Sequence, residues 1–241
     1  KLCWLKGFRS PHAFGAMGVN GILVGRNIAW LLTLSRLTGG SGKGALDLYP
    51  PASWTVQAFV DNFDISNSAT FDQKVLSYGK WWKQGGPILL YLGNEGPIET
   101  FYNFTGAVFE HAEALQALVV FVEHRFYGSS LPGGRKPQVP RDLRGLTVEQ
   151  AMADYAWLVP ELKRRFHCSK AECPIVTLGG SYGGMLVAWF RQKYPQLTVG
   201  GIAAGAPVDF YPGSHRQAAF WNATLHTYTN FGTPGCAGAL G

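Results

Sequence analysis

The stretch Gly179-Gly180-Ser181-Tyr182-Gly183 sets a serine between glycines in the pattern G-x-S-x-G. That pattern suits acyl transfer, because a sharp strand-to-helix turn lifts the serine hydroxyl above a sheet. Glycines on either side let strand and helix approach without a side-chain clash. In a chain with 12 serines and 31 glycines among 241 residues, the pattern arises by accident about 0.2 times, so its surroundings must decide. They fit: the apolar run Pro174–Leu178 ends just before it. An apolar stripe of Met185, Leu186, Trp189 and Phe190 follows in a helix expected to start near Gly184 and to end at Tyr194-Pro195. Ser181 is therefore the candidate nucleophile.

Such a nucleophile needs backbone donors for the oxyanion, one from the residue after the serine and one from a loop after an earlier strand. Tyr182 N–H is the first candidate. The second is Asn94 N–H, in the tight loop Gly93-Asn94-Glu95-Gly96 that follows the apolar run ending at Leu92. Glu95, in the same loop, is a candidate to meet the charged end of a short peptide, or else stabilises the loop.

Around these residues, Pro87–Leu92, Ala117–Val122, Pro174–Leu178 and Val199–Ala204 are short apolar runs of the buried-strand type. A helix is expected from Thr147, where Thr147-Val-Glu-Gln150 forms a capping box and Ala151, Tyr155, Leu158 and Leu162 recur on one face, with Pro160 as a site of bending. Strands alternating with helices imply an α/β fold with a mainly parallel sheet, whose function gathers at the carboxyl ends of the strands. Residues 1–45 read differently, as a poorly ordered leader or linker. The apolar segment Ile28–Leu37 is interrupted by Arg36 and falls well short of the roughly 20 residues that span a bilayer. The segment Thr38–Gly44 lacks the first Gly and the Ser/Thr of a phosphate loop.

Composition narrows the classes further. Apolar residues make up 46% and charged residues 15%, as in a packed α/β protein. The net charge of +6 is scattered, with no basic run interleaved with aromatics, which argues against nucleic-acid binding. Four cysteines without a C-x-x-C spacing suit neither a metal site nor a disulfide scaffold. Cys168 and Cys173 lie in one polar loop, either as a local bridge in an oxidising compartment or as two unrelated thiols. The sequons at Asn103 and Asn222 tilt the compartment towards secretion. No metal or organic cofactor is implied.

Six segments taken together resemble the family of lysosomal Pro-X carboxypeptidase and dipeptidyl peptidase II. They are residues 60–63 (VDNF), 70–71 (TF), 93–96 (GNEG), 123–132 (EHRFYGSSLP), 146–151 (LTVEQA) and 179–186 (GGSYGGML). The resemblance runs from about Trp54 to Pro207. It implies an α/β-hydrolase-type core over 46–208, incomplete at its C-terminal side, and the start of a helical cap over 209–241. It also implies exopeptidase action on peptides with proline at the scissile bond, a lysosomal, vacuolar or extracellular location, and a homodimer among the expected assemblies. By the same resemblance, Glu123 to Ser130 support the turn after a central strand, with His124 structural rather than the catalytic base.

Two departures stand out. Where the family reads Leu-Asp-His-Phe, this chain has Val60-Asp61-Asn62-Phe63, far from Ser181 in sequence. The family also places its catalytic Asp and His beyond the position of Gly241. Asp209, His215 and His226 follow Ser181 but fall where the cap begins, so the chain by itself is expected to be nearly inactive and poorly stable. Cys236 is left without an obvious partner, implying a free or mispaired thiol. The rival readings are a noncatalytic fragment or pseudoenzyme, and an α/β-hydrolase esterase.

Overall fold

The computed structural model describes residues 44–134, 139, 143–209, 213 and 218–239. Nearly all of the expected leader, the segment Thr38–Lys43, and His215 lie outside the described residues. The chain divides after Val208. A helix at Ala219–Phe231 with no buried residue follows the division and is described by itself.

Three apolar runs form the centre of a six-stranded sheet. Strands β3 (Ile88–Leu92) and β4 (Leu118–Val122) are buried at every position, so each must be covered on both faces. With β1 (Ala52–Phe59), β2 (Thr70–Tyr78), β5 (Ile175–Gly180) and β6 (Gly200–Ala204), the order across the sheet is β1-β2-β4-β3-β5-β6. The pairs β4/β3, β3/β5 and β5/β6 are parallel, and the hairpin β1/β2 joins antiparallel at the β4 side. The period of two along each strand sorts side chains into two cores. Ile88, Leu90, Leu92, Leu118, Val120 and Val122 face helices α4 (Val148–Arg165) and α5 (Ser181–Lys193). Leu89, Tyr91, Val119 and Phe121 share the other core with the short helix α1 (Ala45–Leu48), α2 (Ile98–Phe104) and α3 (Gly106–Leu115).

Several expectations need correction. The strand β6 was expected to be buried, yet four of its five residues are exposed, because it lies at the edge of the sheet. Helix α5 begins at Ser181 itself rather than near Gly184, and its buried face is Gly183, Gly184, Leu186, Val187 and Phe190. Met185 and Trp189 are only partly buried, because the two glycines, lacking side chains, turn the first helical turn into the contact face. Helix α4 runs through Pro160 without interruption, and its stripe Ala151, Tyr155, Leu158 and Leu162 is fully within the core. Its capping box is only half made. Thr147 Oγ1 accepts from Gln150 N–H at 3.2 Å, but the Gln150 side chain is drawn away, accepting from Asn62 N–H at 2.9 Å and donating to Asp61 at 2.6 Å. Cys168 and Cys173 are disulfide-bonded. So is Cys236, which corrects the expectation of a free or mispaired thiol.

The turn after β4 is built from buried charge. The Glu123 carboxylate is wholly buried and accepts from the backbone N–H groups of Ile98, Ser129 and Ser130 and from both serine hydroxyls. Gly128, at φ 54°, passes so close that a Cβ there would overlap that carboxylate. Arg125 is buried too. It forms a bidentate pair with Asp154 at 2.7 and 2.6 Å and spends its remaining donors on the carbonyls of Phe59, Val60 and Gly145. Asn62 Nδ2 adds a third donor to Asp154 at 2.8 Å. The hairpin segment that looked remote in sequence is therefore part of this network. Burial pushes the Asp154 carboxyl above its ordinary value, and the guanidinium opposes that push. Removing the carboxylate would leave Arg125 charged and unpaired in the core. Asp154→Ala is therefore expected to lose about 3–5 kcal/mol of stability, measured by urea unfolding; a loss under 1 kcal/mol would contradict the role given to the pair.

Candidate active site

Strand β5 delivers Ser181 to the carboxyl edge of the sheet, and α5 leaves from the same residue. The turn is so sharp that Ser181 takes φ 54°, in the left-handed region, at a cost of roughly 1–3 kcal/mol for a non-glycine residue. Its side chain is exposed, and among the described residues nothing hydrogen-bonds its Oγ. The glycines are a steric requirement. A Cβ on Gly179 would collide with the backbone of Gly183, and one on Gly183 would strike the Asn94 amide and lie 2.8 Å from the Leu92 carbonyl. One on Gly184 would sit 3.0 Å from the Ala204 carbonyl.

The loop after β3 meets this turn through a side chain. Asn94 is 4% exposed; its Nδ2 donates to the Gly180 carbonyl at 2.6 Å, and its Oδ1 accepts from the Tyr91 hydroxyl at 3.3 Å. The sequence nominates Asn94 for its backbone N–H, and the structure adds a role for its amide side chain. Its signal is present all the same: a polar residue two positions past the end of a wholly apolar strand. The Asn94 N–H itself donates to no acceptor among the described residues. Glu95, beside it, is exposed.

Tyr182 opens α5. Its hydroxyl lies 3.0 Å from Nε2 of His124, whose Nδ1 lies 2.7 Å from the Arg125 carbonyl. Because a carbonyl only accepts, Nδ1 carries the proton and Nε2 accepts from the Tyr182 hydroxyl. The ring is wholly buried, and the rings of Tyr127, Tyr155 and Tyr182 surround it at 5.3, 6.5 and 5.5 Å. Burial, with the Arg125 charge beside it, pushes its pKa down to about 4. Both nitrogens are committed, so the ring is not aimed at Ser181. Burial chiefly, then the phenol of Tyr127 and the carboxylates of Glu95 and Glu149, push the Tyr182 hydroxyl well above its ordinary value. Both hydroxyl and imidazole are thus neutral over the physiological range. Of the other candidates, Asp209 and His226 follow the division of the chain after Val208. No cluster of metal-ligating side chains is found among the described residues.

The family profile for serine carboxypeptidase S28 matches residues 58–236. The chain belongs to the S28 family. Over 154 residues it is 49% identical to the lysosomal Pro-X carboxypeptidase of Homo sapiens, covering 63% of this chain and 31% of that one. It is 42% identical over 185 residues to the putative serine protease pcp-1 of Caenorhabditis elegans, covering 74% and 33%. It is also 42% identical over 161 residues to prolyl carboxy peptidase like protein 5 of the same organism, covering 66% and 32%. This S28 chain thus spans about a third of the length of those relatives, and the residues matched by the family profile, 58–236, contain the serine turn, the loop after β3 and the buried network behind them.

Two measurements probe the site. In Asn94→Ala the Gly180 carbonyl loses its donor, and a stability loss of about 1–3 kcal/mol is expected; denaturation indistinguishable from wild type would contradict it. For His124, the folded value near 4 lies below the ordinary 6.5, so the fold favours the neutral ring. Its contribution is complete above pH 6.5 and is lost as pH falls through about 4. Relative to His124→Gln, the wild-type chain is expected to lose about 3 kcal/mol across that window. Parallel stability curves for the two proteins would refute this.

Proposed function

We propose that this chain carries the nucleophile of a serine exopeptidase that hydrolyses peptides beside proline, with Ser181 as the attacking residue. The observation that carries the reading is the exposed Ser181 held at φ 54° between the end of a parallel strand and the first turn of a helix, inside a matched S28 region. Ser181 Oγ attacks the carbonyl carbon of the scissile bond as a base takes its proton. The carbonyl oxygen becomes an oxyanion, and the N–H groups of Tyr182 and Asn94 stabilise it. Collapse expels the amine, which leaves with a proton, and water then cleaves the seryl ester to release the acid and regenerate the hydroxyl. The base and its orienting acid come from outside the described residues. Glu95 recognises a charged or polar group at the peptide's terminus.

The preference for proline draws support from the printed names of the human and nematode relatives. A secretory-pathway or lysosomal setting draws support from the lysosomal name of the human relative and from the Cys168–Cys173 bridge. The sequon residue Asn222 is exposed on its helix. Asn103 is half-buried, with its Oδ1 accepting from Leu46 N–H at 2.9 Å, so Asn222 is the readier glycan acceptor.

The test treats the whole chain with a fluorophosphonate probe beside Ser181→Ala and reads intact mass. With no base beside Oγ among the described residues of the core, slow accumulation of a single adduct is expected in wild type and none in the variant. A folded wild-type chain that takes no label would favour the noncatalytic reading. In protein that does label, turnover of a chromogenic ester without any turnover of a proline-linked chromogenic dipeptide would favour an esterase.

A further inference from the structure

Ser181 is strained and has to be held. On one side, the Gly180 carbonyl is fixed by Asn94 Nδ2 at 2.6 Å, reaching from the loop after β3. On the other, the Tyr182 hydroxyl is fixed by His124 Nε2 at 3.0 Å, reaching from the turn after β4. We propose that His124 is a positioning residue that acts through the Tyr182 side chain to hold the Ser181–Tyr182 peptide, and with it the Tyr182 N–H, in place. This rests on Ser181 as the nucleophile, and it adds a role for a histidine that makes no contact with the reacting atoms.

The geometry makes the contact directional. The Arg125 carbonyl fixes the proton on Nδ1, so Nε2 presents a lone pair and the tyrosine hydroxyl must donate to it. The imidazole has little freedom to turn away: it is wholly buried, packed among three tyrosine rings. It is joined at Nδ1 to a residue that Asp154 anchors with two hydrogen bonds. Tyr155 closes the far side, its hydroxyl donating to the Gly93 carbonyl at 3.2 Å, one residue before Asn94. The two clamps therefore share one rigid support. A residue at φ 54° relaxes by rotating the peptides on either side of it, and these are the two peptides the clamps restrain. The neutral state that the contact requires is favoured by burial, which keeps the ring unprotonated at mildly acidic pH.

The test uses the whole chain, isotopically labelled, as wild type, His124→Leu, His124→Gln and Tyr182→Phe. Glutamine is the conservative variant, since its side-chain oxygen reaches the place of Nε2 and accepts from the tyrosine. Long-range proton–nitrogen spectra are expected to show His124 protonated on Nδ1, with the Nε2 signal moving in Tyr182→Phe. The Tyr182 backbone amide signal is expected to shift and exchange faster in His124→Leu and Tyr182→Phe, and to return towards wild type in His124→Gln. Fluorophosphonate labelling of Ser181 is expected to slow about tenfold in the same two variants, the factor that goes with one lost hydrogen bond, and to recover with glutamine. Combining His124→Leu with Tyr182→Phe is expected to slow it no further.

An Nε2-protonated ring, or a Tyr182 amide and labelling rate unchanged in Tyr182→Phe, would overturn the proposal. If His124→Leu fails to fold, Tyr182→Phe carries the same test, because it removes a single oxygen atom. If no chain labels, wild type included, the nucleophile assignment fails, while the imidazole and amide signals still decide whether the clamp exists.

Discussion

A serine held in the left-handed region of backbone space is the constraint around which the described core is arranged. Such a residue gains nothing locally from its conformation, so its neighbours must supply the restraint. Three glycines clear the space that the turn needs, and each would meet backbone or a buried amide if it carried a Cβ. The strand before Ser181 is locked between β3 and β6, and the helix after it is packed through Leu186, Val187 and Phe190. Strain at one residue is thus spread over two elements that cannot move independently.

The polar groups behind the turn have a structural logic of their own. Arg125, Asp154 and Glu123 are buried where a hydrophobic core would ordinarily exclude charge, and each is matched by enough partners to offset its lost hydration. A buried pair of this kind adds little net stability over an apolar substitute of the same volume. What it supplies is direction: bidentate geometry fixes the guanidinium, the guanidinium fixes the ends of the β1 hairpin through two carbonyls, and the next carbonyl fixes a histidine tautomer. From Asn62 to Tyr182 the chain of contacts crosses four separate parts of the sequence.

Much of this was legible in the residues. The apolar runs located β3, β4 and β5 to within two residues, because a strand covered on both faces has few polar positions to blur its ends, whereas β1 and β2, which alternate exposed and covered positions, carry no such run. Thr147 marked the start of α4 through its cap, and the glycine pattern around Ser181 located the turn. Less legible were the features decided by neighbours. Gln150 completes a capping box on paper, yet Asp61 and Asn62 lie close enough to take its side chain. The segment at β6 reads as a buried strand, but burial depends on what lies beside it, and at the edge of the sheet four of its five residues are exposed.

The sequence by itself determined the α/β alternation, the identity of the nucleophile candidate and the loop that faces it, since each follows from local chemistry: apolar periodicity, glycine tolerance and a hydroxyl at a turn. Only the tertiary structure decided which way the polar side chains point. His124 and Tyr182 lie 58 residues apart, Asn94 and Gly180 lie 86 apart, and Asn62 and Asp154 lie 92 apart. No local pattern encodes such pairs, because a side chain's partner is set by which strands adjoin and in what register, and that is fixed only when the sheet has formed.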